Sequence, residues 1–211
     1  KMICIYIMLI WRVPMIDSKE LQRKVYKAVS EKRYEHIIGV KDTAACLAMR
    51  YGADFDSTII AALLHDYCKG FSDKEMLSQA KRRHLPISKI EMDSPYLLHG
   101  KLAAAYGKEK FGITDPDILG AVTWHTTGKP AMSLLEMIIF TADYIEPNRK
   151  MIPGLEEIRA MAFVDLEEAV YMINRNTIGY LENTVSASSI DTHTYDTYEY
   201  YKNIHNQKKG S

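Results

Sequence analysis

Three observations predict an all-α fold. Apolar residues recur at three- and four-residue intervals through most of the chain, and helix-starting residues precede those stretches at capping distance. No alternating strand pattern of useful length occurs between residues 17 and 185, and no fixed-period repeat or low-complexity block interrupts the helices.

Asp17 and Glu20, in capping-box spacing, open a first helix that runs through LQRKVYKAVSEK. The next covers Arg33 to Tyr51. Ile37, Val40, Ala44, Leu47, Ala48 and Tyr51 form its apolar stripe, His36 lies on that stripe, and Gly52 stops it. Asp56 or Ser57 opens TIIAALLHDYCK, which lacks a polar face and reads as a central helix buried on most sides. Ser72 with Glu75 starts a further helix, and another runs from Pro95 through Lys110, stopped by Gly112. Thr114 or Asp115 caps a helix with Pro116 in its first turn, where proline loses no needed hydrogen bond; Ile118, Val122 and His125 share one face of it. Ser133 and Glu136 open LLEMIIFTADYIE, which must end near Pro147. Asp165 with Glu168 opens a last long helix to Glu182. Gly128, Pro130, Pro147, Pro153 and Gly154 mark loops over 126–132 and 147–154, which flank His125 and Asp143.

A chain of 211 residues fits one domain with a sizeable core. The expected division is an apolar extension over residues 1–14, one domain over 15–202, and a polar, basic, frayed tail over 203–211. Met2 to Trp11 is apolar throughout but shorter than the roughly 20 residues a membrane-spanning helix needs, and Arg12, Val13 and Pro14 do not resemble a signal cleavage site. No stable membrane insertion is expected, although an exposed apolar start would support a homodimer. Lys plus Arg equals Asp plus Glu at 27 each, so no broad polyanion-binding surface is expected and nucleic acid is not an expected partner. A small anionic substrate needs only local positive groups. Cys4, Cys46 and Cys68 are odd in number and lack CxxC spacing, which fits a reducing cytoplasm and argues against a thiolate zinc site.

Among the seven histidines, His84, His193 and His205 lie in polar contexts and are expected to face solvent. His36, His65, His99 and His125 fall within or beside apolar helical stretches, as does Asp143, while Asp66 adjoins His65. A buried carboxylate is costly unless partnered, and a metal ion is one partner. Imidazoles and carboxylates can hold a divalent first-row metal without thiolates, and a carboxylate can bridge two ions. Singly, each residue is better read as a hydrogen-bonded core or surface residue; the conjunction points to a metal site.

RYEHIIGVKDTA, AALLHDYCK, YLLHG, VTWHTTG and FTADYIEPNR occur in that order. Together they resemble the HD-domain metal-dependent phosphohydrolases, and within them the YqeK-type symmetrical diadenosine tetraphosphate hydrolases, over residues 17 to 202. The resemblance implies an HD-domain helical bundle. It implies that His36, His65, Asp66 and Asp143 bind one metal ion and that Asp66, His99 and His125 bind a second, with Asp66 bridging. Two divalent ions are implied, iron favoured, with manganese, zinc or another transition metal compatible with the same donors. The implied reaction is hydrolysis of diadenosine tetraphosphate to two ADP by a hydroxide generated on the metals.

Asp66 and Lys69 are the expected catalytic residues. Lys69, Arg33, Arg149, Thr127 and Gly128 are the expected substrate contacts, with Lys69 also readable as a helix-end lysine and Arg33 as an ion-pair partner, and Thr126 lies with Thr127 and Gly128 in a loop that resembles the family's substrate edge. Glu146 fits either a brace for a ligand histidine or a loop cap. Trp124 fits core packing or base stacking. The competing functions are another HD phosphohydrolase acting on nucleoside mono- or triphosphates, and a nucleotide-sensing domain of slow turnover.

Overall fold

The structure is a computed structural model that describes residues 16–184 and 190–210. The apolar extension of residues 1–14 lies outside the described residues. Those described form eleven α-helices and one 3-10 turn, with no strand among them.

Helix α1 (Ser18–Ala28) is capped by Asp17, whose carboxylate accepts from the amides of Lys19 and Glu20. It ends sooner than the sequence pattern implies, because Ser30 caps a new helix by accepting from the Arg33 amide. Helix α2 (Glu31–Tyr51) therefore takes in Glu31 and Lys32, and Gly52 closes it with φ 72°, a left-handed conformation that suits glycine. Helix α3 (Phe55–Leu64) is capped by Asp54 rather than by Asp56 or Ser57. Its residues Thr58 and Ile60 to Leu64 are all buried, and it packs against α1, α2 and later helices as the central element of the bundle.

Helix α4 (Asp73–Arg82) starts on Ser72 as expected. The stretch expected as one helix from Pro95 is divided: a short α5 (Lys89–Asp93) with a Ser88–Glu91 capping box precedes a 3-10 turn over Pro95–Leu98, and α6 is His99–Phe111. Asp115 caps α7 (Pro116–Trp124), and a Ser133–Glu136 capping box opens α8 (Leu134–Ile145). Helix α9 (Leu155–Ala162) was not foreseen, and α10 (Leu166–Thr184) follows Asp165, which accepts from the Glu168 amide.

The expected frayed tail is instead the end of α11 (Thr192–Gly210), which packs on α10. Its attachment is largely polar. The Met132 amide donates to the buried Tyr201 hydroxyl, Lys208 pairs with Asp165 at 2.6 Å and Glu167 at 3.0 Å, and His205 pairs with Glu168 at 2.7 Å. His205 also stacks on Tyr171 with ring centroids 4.2 Å apart, so it does not simply face solvent as expected. His84 and His193 are exposed, the latter edge-on to Trp124. Among the described residues, no helix is long and apolar enough to cross a membrane.

Candidate metal centre

The centre lies where α2, α3, α7 and α8 pack together and the start of α6 meets α7. His65 is the first residue past α3. From there the chain proceeds in three-residue turns, with Tyr67 N–H donating to Leu64 O, Lys69 to Asp66 O and Phe71 to Cys68 O. The expected helical continuation through Lys69 is thus replaced by tight turns. These still bring Lys69 back over the site, with Nζ 3.2 Å from His99 Nε2.

Three histidines are aimed by one device. His65 Nδ1 lies 2.6 Å from Ala62 O, His99 Nδ1 2.6 Å from Tyr96 O, and His125 Nδ1 2.7 Å from Val122 O. Each carbonyl is three residues back, in the last turn of a helix or 3-10 turn, where the chain geometry brings it within reach of the ring. A carbonyl can only accept, so the proton is assigned to Nδ1 and the Nε2 lone pair faces inward. His36 is aimed differently. Its Nδ1 donates to Glu146 Oε1 at 3.2 Å, and Glu146 is fixed in turn by the Asn148 amide at 2.7 Å.

Two glycines allow these approaches. A Cβ on Gly39 would lie 2.5 Å from Glu146 Oε2, and one on Gly100 would lie 2.8 Å from Thr123 O and 2.9 Å from Val122 O. Gly100 therefore lets the start of α6 seat directly on the end of α7, which places His99 beside His125.

Asp66 stands between two donor groups. Its Oδ1 is 3.2 Å from His99 Nε2 and 3.5 Å from His125 Nε2, while Oδ2 is 3.5 Å from His36 Nε2 and 3.7 Å from His65 Nε2. Asp143 Oδ1 lies 3.0 Å from His36 Nε2. His36, His65 and Asp66 form one triad whose donor atoms converge, and Asp66, His99 and His125 form another, sharing Asp66. All six residues foreseen as ligands are brought together. Inward-facing imidazole nitrogens with their other nitrogens already bonded, plus carboxylate oxygens, are a donor set suited to divalent transition metals.

The electrostatics favour the ligand forms. Burial pushes His65 down to about 4, and burial also lowers His99, so both imidazoles are neutral near pH 7. Burial acts to raise Asp66, but His65, His125 and His99 outweigh it and hold the carboxyl well below the usual range. Asp143 behaves likewise: burial is outweighed by its hydrogen bond with His36 and by Arg149. His36 is raised, since contact with Asp143 and the charge of Asp66 overcome burial. Burial lowers the Lys69 ammonium despite the nearby aspartates.

Arg33 Nη1 donates to Asp66 Oδ2 at 2.5 Å, and Arg149 Nη2 donates to Asp143 Oδ1 at 2.8 Å. The structure does not bring Thr127 and Gly128 into the cluster. Thr127 Oγ1 donates to Gly128 O, and its carbonyl accepts from Thr197 of α11. Gly128, at φ 66°, is buried with a would-be Cβ 2.7 Å from Thr197. The turn that begins after α7 points these two residues at α11, and Thr126 occupies the site instead. Its Oγ1 lies 3.2 Å from His99 Nε2 and 3.1 Å from His125 Nε2. The sequence places Thr126 in the same candidate substrate-edge loop as Thr127 and Gly128 without indicating which of the three reaches the histidines.

Residues 33–148 match the HD domain family, a span that contains every residue of the cluster. The chain belongs to the HD-domain family. It is 47% identical over 153 residues to the symmetrical bis(5'-nucleosyl)-tetraphosphatase of Halalkalibacterium halodurans, covering 72% of this chain and 81% of the relative. It is 41% identical over 166 residues to the protein of the same description from Bacillus subtilis, covering 79% and 88%. Among solved structures, an HD superfamily hydrolase from Clostridium acetobutylicum, described as involved in NAD metabolism, is similar with TM-score 0.84 and 34% identity, covering 90% of this chain and 99% of that one. As an HD-domain protein the chain is a metal-dependent hydrolase, and its His and Asp cluster has donor groups that could hold a metal.

Proposed function

We propose that this HD-domain protein hydrolyses dinucleoside tetraphosphates symmetrically, converting diadenosine tetraphosphate to two ADP, at a centre of two divalent metal ions. The observation that carries this reading is the position of Asp66, whose two oxygens face two separate histidine groups. His36, His65, Asp66 and Asp143 would hold one ion and Asp66, His99 and His125 the other. Relatives described as symmetrical bis(5'-nucleosyl)-tetraphosphatases support the substrate. When bound, such a pair of ions polarises a phosphoryl oxygen and lowers the pKa of water at neutral pH. Iron is the proposed metal.

The chain's own residues supply the rest. Lys69, partly buried beside His99, donates to a non-bridging oxygen of the phosphoryl group under attack. Arg33 and Arg149, whose guanidiniums already reach Asp66 and Asp143, bind the flanking phosphates through planar, paired donors. Thr126 offers a hydroxyl at the rim of the His99 and His125 half. No protein nucleophile is required: water adds to one central phosphorus, the bond to the neighbouring bridging oxygen breaks, and a second nucleoside diphosphate departs. The free thiols Cys46 and Cys68 agree with a cytoplasmic setting.

The test is turnover of diadenosine tetraphosphate by metal-loaded protein in isotopically labelled water, with products separated by chromatography. ADP as the product, with label in its terminal phosphate, is expected. AMP plus ATP, or phosphate release from nucleoside mono- or triphosphates at higher efficiency, would overturn the assignment. Bound metal without turnover would mean a sensing domain.

A further inference from the structure

A cavity of about 400 Å³ opens directly beside His36. Four cations line it: Lys32 and Arg33 from the first turn of α2, and Arg149 and Lys150 from the loop after α8. The two arginines are paired with Asp66 and Asp143. Among the described residues, neither the Lys32 nor the Lys150 ammonium has a hydrogen bond or ion pair, and both lysines are exposed. Two carboxylates also line the cavity. That of Glu146 is committed to His36 and the Asn148 amide, which leaves Glu35 as the remaining acidic side chain there. The cavity lining thus carries four cationic side chains against two carboxylates at one end of the metal cluster, and its two lysines are the cations there without an ion-pair partner among the described residues.

We propose that Lys32 and Lys150 form a diphosphate subsite that receives the departing nucleoside diphosphate half of the substrate. The inference rests on the symmetrical hydrolase reading and adds to it the residues that select chain length. A tetraphosphate cleaved at its centre leaves two phosphates on the departing half, and that half lies beyond the phosphorus under attack. The cavity adjoins His36 and Asp143 through Arg33 and Arg149, so it lies along that path. A triphosphate substrate places at least one phosphate fewer in it on one side of the cut. The two lysines are specificity-determining residues: they hold non-bridging oxygens of the departing diphosphate, while the phosphorus under attack lies beside Lys69 and the metal cluster.

The experiment uses the full-length, metal-loaded protein, the K32A/K150A double variant and the K32R/K150R variant. Steady-state kinetics on diadenosine tetraphosphate and triphosphate are combined with calorimetric binding of ADP. The alanine variant is expected to raise KM for the tetraphosphate about tenfold with kcat nearly unchanged, to weaken ADP binding by a similar factor, and to lose most of the tetraphosphate preference; arginine restores all three. Unchanged KM, ADP affinity and chain-length preference in the alanine variant would overturn the subsite. If the parent protein does not turn over the tetraphosphate, the hydrolase reading fails separately, and ADP binding alone decides whether the lysines hold a diphosphate.

Discussion

The Nε2 atoms of His99 and His125 lie 2.9 Å apart, each ring anchored through Nδ1 to the carbonyl three residues behind it. That closeness depends on Gly100, which sits against the carbonyls of Val122 and Thr123. Gly100→Ala must push α6 off α7. It should cost about 1–3 kcal/mol in stability and lower bound metal from two equivalents toward one, as read by denaturant unfolding and elemental analysis. Gly179→Ala, where an added Cβ meets nothing within 4 Å, is the control and should be neutral or slightly stabilising. Equal behaviour of the two variants would show that the α6 contact does not set the site.

Glu146 orients His36 from behind, and Gly39 leaves room for it. Glu146→Ala should weaken metal binding by about 10–100-fold while the helical circular dichroism persists. Gly39→Ala should act in the same direction, because the added methyl displaces the carboxylate. Metal titration of both proteins is the check, and an unaltered affinity in Glu146→Ala would remove its orienting role.

Asp66 faces both histidine groups and is the proposed shared ligand, and Arg33 is its ion-pair partner. Asp66→Ala should abolish binding of both metals and leave the Arg33 guanidinium without its carboxylate. A bound metal equivalent surviving in this variant would contradict a shared ligand.

The metal-free protein should lose stability on mild acidification. His65 has its folded pKa pushed down by burial to about 4, below the unfolded value of 6.5. Between those values the unfolded chain binds a proton that the folded one refuses, so stability falls as pH drops through this window. The loss approaches about 3 kcal/mol at its acid end. His99 shifts in the same direction and His36 in the opposite one. Melting temperature measured from pH 7 to pH 4.5 should drop by several degrees, and His65→Gln should flatten the curve. A pH-independent melting temperature in the parent protein would refute the buried neutral imidazole.

The thiols should differ sharply in reactivity. Burial pushes Cys68 up to about 12, whereas Cys46 is exposed. Iodoacetamide at pH 8 should modify Cys46 in the native protein and spare Cys68 until unfolding, as followed by peptide mass spectrometry.

The helix-forming code was largely local and hence legible. Asp17, Ser72, Asp115 and Ser133 all cap helices, and Gly52 and Gly112 end them, because these effects act within four residues. The break before Ser30, the split of the 95–110 segment and the short α9 depend on packing that local periodicity does not encode. Helix α11 has no legible amphipathic pattern, for a specific reason. Its buried face is Thr194, Thr197 and Tyr201 with ion pairs to α10, so it carries little apolar stripe to detect.

What the sequence by itself determined was an all-helical chain and the donor types of the site: four histidines and two aspartates in apolar helical settings. Such residues are expensive to bury without a shared purpose, and that cost is readable from their neighbours. Only the tertiary structure decided that Asp66 faces both histidine groups, that Thr126 rather than Thr127 reaches them, and that Arg33 and Arg149 sit on the two aspartates. Those outcomes depend on distances of a few ångströms between segments remote in the chain. They are set by where Gly39 leaves room for the Glu146 side chain and Gly100 lets the α7 backbone approach, a property of pairs of segments that no single stretch of sequence contains.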